Sequence, residues 1–291
     1  MTAILSIAGL IIIVLVIGRL NLQRQFSKEV RQLFSRRENI VNKSFTYDML
    51  SDLPEPVQRY FKHVLKNGQS YIRYVRLTHT GQFKTGRDKD WVDIRGEQYF
   101  TAAKPGFIWK GITPLFTARD MYIGGTGRLV VSLFSVYNIV DSKGEKINQG
   151  ELLRWLGESV WFPTNLLPGN NLQWSSIDHS SAKLTFCYNG LTVFYIVTFN
   201  DLGEITQVET RRYMGNENLE TWTGKLTDYK EINGIIIPTA IEGIWKLEKG
   251  DYSYARFRIE TIEYNKPEKF VNVFRSRPGR SDGKSPTTPY N

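Results

Sequence analysis

The stretch ETWTGKLTDYKEINGIIIPTAIEGIWKLEKGDYSYARFRIETIEY, residues 220–264, decides the fold. It holds three runs rich in β-branched and aromatic residues, over 220–232, 235–247 and 252–264. Two short breaks separate them, Asn233-Gly234 and Lys249-Gly250-Asp251. Asn-Gly between alternating apolar runs is a strong hairpin signal, because both turn residues tolerate a positive φ. Long runs joined by tight turns pair antiparallel, so the stretch reads as a meander.

The same pattern extends back toward the N-terminus. Strands are expected over 71–81, 90–101, 107–109, 119–124, 128–140, 172–177, 182–188, 191–199 and 205–213. Asn189-Gly190 and Asp201-Leu202-Gly203 punctuate them. The segment Gly124-Gly125-Thr126-Gly127 invites a phosphate-loop reading, but a strand follows it where a helix N-terminus is needed; we read it as a hairpin or bulge. No helical run alternates with the strands, which argues against a βαβ fold. The aromatic content of 13% suits a pleated surface.

Two helices are expected inside this body, over about 54–66 and 150–161. In the first, Asp52 is a candidate cap, Pro54 and Pro56 suit a first turn, and Val57, Tyr60, Phe61, Val64 and Leu65 form one stripe. In the second, Leu152, Trp155, Leu156 and Val160 share a face, with Glu151, Arg154 and Glu158 on another. The fold class is therefore mainly β (α+β). A curved antiparallel sheet, a half-barrel meander, is capped by helices on its concave side.

The N-terminus reads differently. Residues 2–18 carry no charge and are dominated by Ile, Leu and Val; Arg19, Arg24, Lys28 and Arg31 follow. Seventeen helical residues rise about 25 Å, enough with flanking residues for a hydrocarbon core of roughly 30 Å. A cleaved signal peptide would have a basic start and a small-residue cleavage site, so an uncleaved anchor over 1–22 is preferred. The positive-inside rule puts the domain on the cytoplasmic face of a cell membrane crossed once; the extracytoplasmic face is the alternative. Residues 23–44 read as a basic juxtamembrane helix or linker, either solvated or lying on the membrane. Residues 45–265 form a single β domain, and 266–291 a disordered basic tail.

The net charge of +9 belongs to the flanks. Residues 44–265 hold 25 basic and 25 acidic side chains. Basic flanks around a neutral body suit membrane lipids and exclude a nucleic-acid groove as a partner. The single cysteine, Cys187, excludes an internal disulfide and reads as a buried, inert thiol.

Three motifs, LPEPVQRYF (53–61), GELLRWLGESVWFP (150–163) and DYKEINGIIIPT (228–239), resemble an uncharacterised bacterial family of membrane-anchored proteins. The resemblance covers roughly 50–265. It implies an architecture similar to the LolA/LppX-type lipoprotein-carrier half-barrel, an open curved sheet around an apolar cavity, and assigns no catalytic residue.

Little in the chain points to chemistry. His63, His79 and His179 share no metal-ligand spacing, and no metal or cofactor is expected. Glu151 and Glu158 are the candidate catalytic carboxylates; an ion pair with Arg154 between them is the plainer reading. Asp120 and Glu97 are not singled out. Trp109, Phe116, Trp155, Trp161, Phe162, Leu166 and Leu167 are the candidate lining of an apolar ligand pocket. The resulting expectation is a membrane-anchored, non-enzymatic module binding a lipid or other apolar ligand. The alternatives are a scaffold contacting a membrane-protein partner and a carboxylate-dependent hydrolase.

Overall fold

The computed structural model describes residues 2–35, 43–215 and 218–271. Its elements are helices α1 (Thr2–Ser35), α2 (Glu55–Val64) and α3 (Glu145–Glu158) and thirteen strands. The first six strands are β1 (Tyr74–Phe83), β2 (Val92–Thr101), β3 (Gly106–Ile112), β4 (Phe116–Ile123), β5 (Thr126–Leu133) and β6 (Tyr137–Ser142). After α3 come β7 (Leu172–Ser176), β8 (Ser181–Tyr188), β9 (Leu191–Phe199), β10 (Ile205–Met214), β11 (Asn218–Ile232), β12 (Ile235–Leu247) and β13 (Gly250–Tyr264).

All thirteen strands form one antiparallel sheet in the order β6-β5-β4-β3-β2-β1-β13-β12-β11-β10-β9-β8-β7. The chain starts in the middle, steps outward to β6, crosses to the far edge at β7 and steps back. β1 and β13 then join the two wings, with Val75 opposite Tyr264 and Phe83 opposite Ala255. The crossing segment is α3 and the loop after it. α3 packs on β4 and β5 of one wing and on β9 and β10 of the other. One helix touches both wings only if the sheet curls around it, which gives the curved, open architecture expected from the sequence.

Turn chemistry supports the meander. Asn189 and Gly190, and Asn233 and Gly234, all take positive φ, as two-residue hairpins that follow strand twist require. Gly124 and Gly125 do the same between β4 and β5, a plain hairpin. The single strand expected over 128–140 is instead a hairpin, because Phe134 and Ser135 sit at φ 50° and 62°. Neither residue favours that region, so the turn left no composition signal.

The helices differ from expectation at their starts. Pro54, rather than Asp52, precedes the first turn of α2, and the expected stripe is buried. α3 begins at Glu145, ahead of the expected residue 150. Gly150 lies within α3, where an added Cβ would come within 3.3 Å of the Arg212 guanidinium. Glu151 and Glu158 are buried along with the apolar face, because α3 is enclosed by both wings.

One core fills the concave side, built from α2, α3 and the inward residues of both wings. A second, smaller core lies on the convex face. There Phe26, Val30, Leu33 and Phe34 of α1 are buried against Tyr99, Ile108 and Met121. The apolar stripe of the juxtamembrane stretch through Ser35 is thus covered by the sheet rather than by a membrane, while Arg24, Lys28 and Arg31 on its other face stay exposed. Residues 36–42, also within that stretch, lie outside the described residues. The beginning of the expected tail is ordered too: Phe270 sits 6.0 Å from the Tyr99 ring, with Arg76 4.5 Å over it. The remainder of the tail, from 272, lies outside the described residues. Cys187 is exposed, not buried, because alternation along β8 turns Leu184 and Phe186 inward and Cys187 outward.

Candidate functional site

A single rung of the sheet organises the concave interior. Gln98, Trp109 and Asp120 are register partners across β2, β3 and β4, and all face inward. Trp109 lies flat on the sheet because Gly111 leaves room; a Cβ there would meet its ring at 2.4 Å. Gly96 does the same for His79, whose imidazole accepts a hydrogen bond from Trp109 Nε1 at 2.7 Å. Burial pushes His79 down to about 3, so it stays a neutral acceptor.

α3 lays its polar residues along this rung. Arg154 lies 4.8 Å over the Trp109 ring and 5.1 Å over Phe107. Its guanidinium donates to Asp120 and, at 3.0 Å, to Glu158 Oε1. Gln98 Nε2 donates to the other Glu158 oxygen at 2.6 Å. The expected Glu158–Arg154 pair therefore forms. Glu151 Oε2, in contrast, is buried without a hydrogen-bond partner, as are Asp120 Oδ1 and Arg212 Nε. Arg212 approaches from β10 on the other wing, over Trp222 and Trp245 at 5.6 and 5.7 Å.

Three carboxyl groups and two guanidinium groups thus share the interior. Burial raises Asp120 and Glu158 above the usual carboxylate range, with Arg154 pulling both back. Glu151 is raised well above that range, by burial first and then by the charge of Asp120. Burial opposes the charge on Arg154, but Glu158, Asp120 and Glu151 outweigh it, and its pKa rises. Asp120 and Arg154 keep 17% and 15% of their side-chain exposure, so solvent reaches one end of the cluster. Such a cluster can bind a proton or orient a polar group. Among the described residues no group of three or more His, Cys, Asp or Glu is arranged to hold a metal ion.

Six of the seven candidate lining residues, all but Phe116, belong to the main core. Trp155 packs on Phe186 at 5.3 Å, and Trp161 and Phe162 pack on Phe100 at 6.2 and 5.1 Å. Trp155 Nε1 donates to the Thr101 carbonyl. Leu166 and Leu167 are buried, and Phe116 is half-buried at the start of β4. Apart from Phe116, these residues are part of the packed main core.

An apolar volume lies instead at the β6 edge of the sheet. A groove of about 360 Å³ separates α1 from the β5–β6 hairpin. Leu10, Ile11, Val14 and Leu15 line one side; Leu133, Phe134, Val136 and Tyr137 line the other. The sequence singled out none of these hairpin residues, since 128–140 reads as one strand. The uncharged run 129–140 was the available signal.

A second ionic network holds α1 against the convex face. Arg119 donates to both Glu29 oxygens at 2.6 Å, and Lys110 pairs with Glu97 at 2.5 Å. Lys110 also lies 4.1 Å over the Phe26 ring. Glu97, unremarkable in the sequence, is almost fully buried.

Comparison with known proteins adds the family. No curated protein matches the chain. Among solved structures, a LolA superfamily protein from Nitrosomonas europaea is similar at 14% identity and a TM-score of 0.43. The match covers 76% of this chain and 96% of that one. A putative outer membrane lipoprotein-sorting protein domain from Vibrio parahaemolyticus is similar at 10% identity and a TM-score of 0.38, covering 66% and 86%. Residues 43–257, which run from before α2 to within β13, match a family of unknown function (DUF6544). The chain belongs to that family.

Proposed function

We propose that the protein is a membrane-anchored, non-enzymatic binding module that takes up an apolar ligand, a lipid or an acyl chain. The groove between α1 and the β5–β6 hairpin carries this reading. Its volume of about 360 Å³ suits a small ligand or part of an acyl chain, and all eight residues lining it have apolar or aromatic side chains. The helix forming one wall is long and apolar enough to cross a membrane. The concave interior supports the reading less directly, because six of its seven candidate residues are part of the packed main core. Arg19, Arg24, Lys28 and Arg31 after the apolar run favour the cytoplasmic face for the domain.

The test is capture of a photoactivatable fatty acid by the purified full chain, with the adducts mapped by mass spectrometry. Adducts concentrated on 10–15 and 133–137 are expected. Adducts spread evenly over the apolar surface of α1, with none on the hairpin, would remove the groove as a site.

One observation favours a second reading. Glu151 Oε2 and Asp120 Oδ1 are buried without partners in a cluster that solvent reaches, as an acid–base pair would require. Under this reading the chain is a carboxylate-dependent hydrolase. Replacing Glu151 and Glu158 together by glutamine and finding cellular function unchanged excludes it.

A further inference from the structure

We propose that the turn of the β5–β6 hairpin is a second membrane-inserted element, entering the hydrocarbon beside α1 and seating the β6 edge of the sheet on the bilayer. The proposal rests on the reading of α1 as a membrane span and gives the groove its occupant, the acyl chain of a bilayer lipid.

The first support is position along the helix. A Cβ on Gly18 would meet Val136 Cγ2 at 2.6 Å and the Ser135 carbonyl oxygen at 2.9 Å, so the hairpin backbone abuts α1 there. From Gly18 the turn lies along the helix toward its N-terminus, opposite Leu10 to Leu15. Leu10 is eight residues from Gly18, or about 12 Å of helix rise. The uncharged run of the chain ends at Gly18, and Arg19 is its first charge. A segment flanking residues 10–15 of a spanning helix lies within the apolar layer.

The second support is chemistry. Residues 129–140 contain no charged side chain, and Arg128 and Asp141, which bound them, pair with each other at 2.6 Å. Leu115, Leu133, Phe134, Val136, Tyr137 and Ile139 are 37–70% exposed, an apolar patch that the protein itself leaves uncovered. Hydrocarbon also demands satisfied backbone groups. Phe134 N–H donates to the Leu115 carbonyl at 2.9 Å, and Val136 N–H to the Leu133 carbonyl at 3.0 Å. β6 is an edge strand, and its outer N–H and C=O groups favour water or headgroups. Insertion is therefore confined to the turn and the groove-lining residues beside it, 133–137.

The experiment uses the full chain in a Cys187→Ser background, reconstituted in vesicles of phosphatidylcholine and phosphatidylglycerol. Phe134→Cys and, separately, Leu202→Cys carry an environment-sensitive NBD fluorophore. Leu202 is the control: it is exposed, in the turn between β9 and β10. Lipids with a nitroxide on the acyl chain should quench the label at 134 severalfold more than the label at 202, and iodide should do the reverse. Equal iodide quenching at both positions overturns the proposal. So does shielding of position 134 from both quenchers, which would mean that a second copy or another protein covers the turn. Fatty-acid capture by the purified protein is read separately, so a hairpin outside the bilayer and an empty groove are distinguishable results.

Discussion

Replacing Arg154 by methionine removes the charge that Asp120 and Glu158 share while keeping an apolar stem over Phe107 and Trp109. Deleting one partner of a buried ion pair costs roughly 3–5 kcal/mol, because the remaining charge is uncompensated. Here the three side chains keep 12–17% exposure, and solvent reaches one end of the cluster. That places the loss near the lower end, at about 3–4 kcal/mol. For a body of this size the midpoint should fall by roughly 6–16 °C. The assay is thermal unfolding for the midpoint and urea unfolding for the free energy, on the full chain in detergent and followed by tryptophan fluorescence.

The pH dependence of that loss has a definite sign. Arg154 is the main group holding down Asp120 and Glu158, so without it both folded-state pKa values rise further. A carboxyl whose folded pKa exceeds its unfolded value contributes stability below the unfolded value and loses it as pH rises. The deficit of the variant should therefore be largest at neutral pH and shrink toward pH ~4. Adding Asp120→Asn and Glu158→Gln should restore most of the lost stability. A loss under about 1 kcal/mol, or one independent of pH, would refute the buried-charge reasoning.

Three further outcomes follow from the same structure. Glu151→Gln mimics the neutral acid that burial and Asp120 favour, so it should stabilise the protein at neutral pH by about 1 kcal/mol. That gain should fade as pH falls into the usual carboxylate range; a net loss at neutral pH in urea unfolding would show that Glu151 is ionised and paired. Phe26→Ala empties a fully buried site under α1, at a cost of roughly 3–5 kcal/mol. Amide exchange over 22–35 should then accelerate on the order of 100-fold while β10–β12 stay protected, and uniform acceleration would mean that α1 does not open separately. A reporter fused after Asn291 should score on the cytoplasmic face; a score on the other face would overturn the charge argument for orientation.

The parts of the fold visible in the sequence were those with local causes. Asn189-Gly190 and Asn233-Gly234 marked hairpins because their turn geometry needs residues that accept positive φ. The stripe of α2 and the period of β11 to β13 were legible for the same reason. The Phe134-Ser135 turn was not, since neighbouring structure imposes its φ values on residues with no such preference. Glu97 and Asp120 were invisible as site residues: each looks like an ordinary strand carboxylate until Lys110 and Arg154 arrive from other strands and helices.

The sequence by itself determined most of the secondary structure, the antiparallel meander, the apolar helix and the placement of excess charge on the flanks. Those properties depend on neighbours a few residues apart. Only the tertiary structure decided that β1 pairs with β13, that α3 is enclosed by both wings, and that the juxtamembrane stripe packs on the convex face. It also decided that the aromatic segment after α3 is core and that the open apolar groove lies at the β6 edge. Each depends on which distant surfaces meet, and burial rewards any apolar stripe without naming the surface that will cover it.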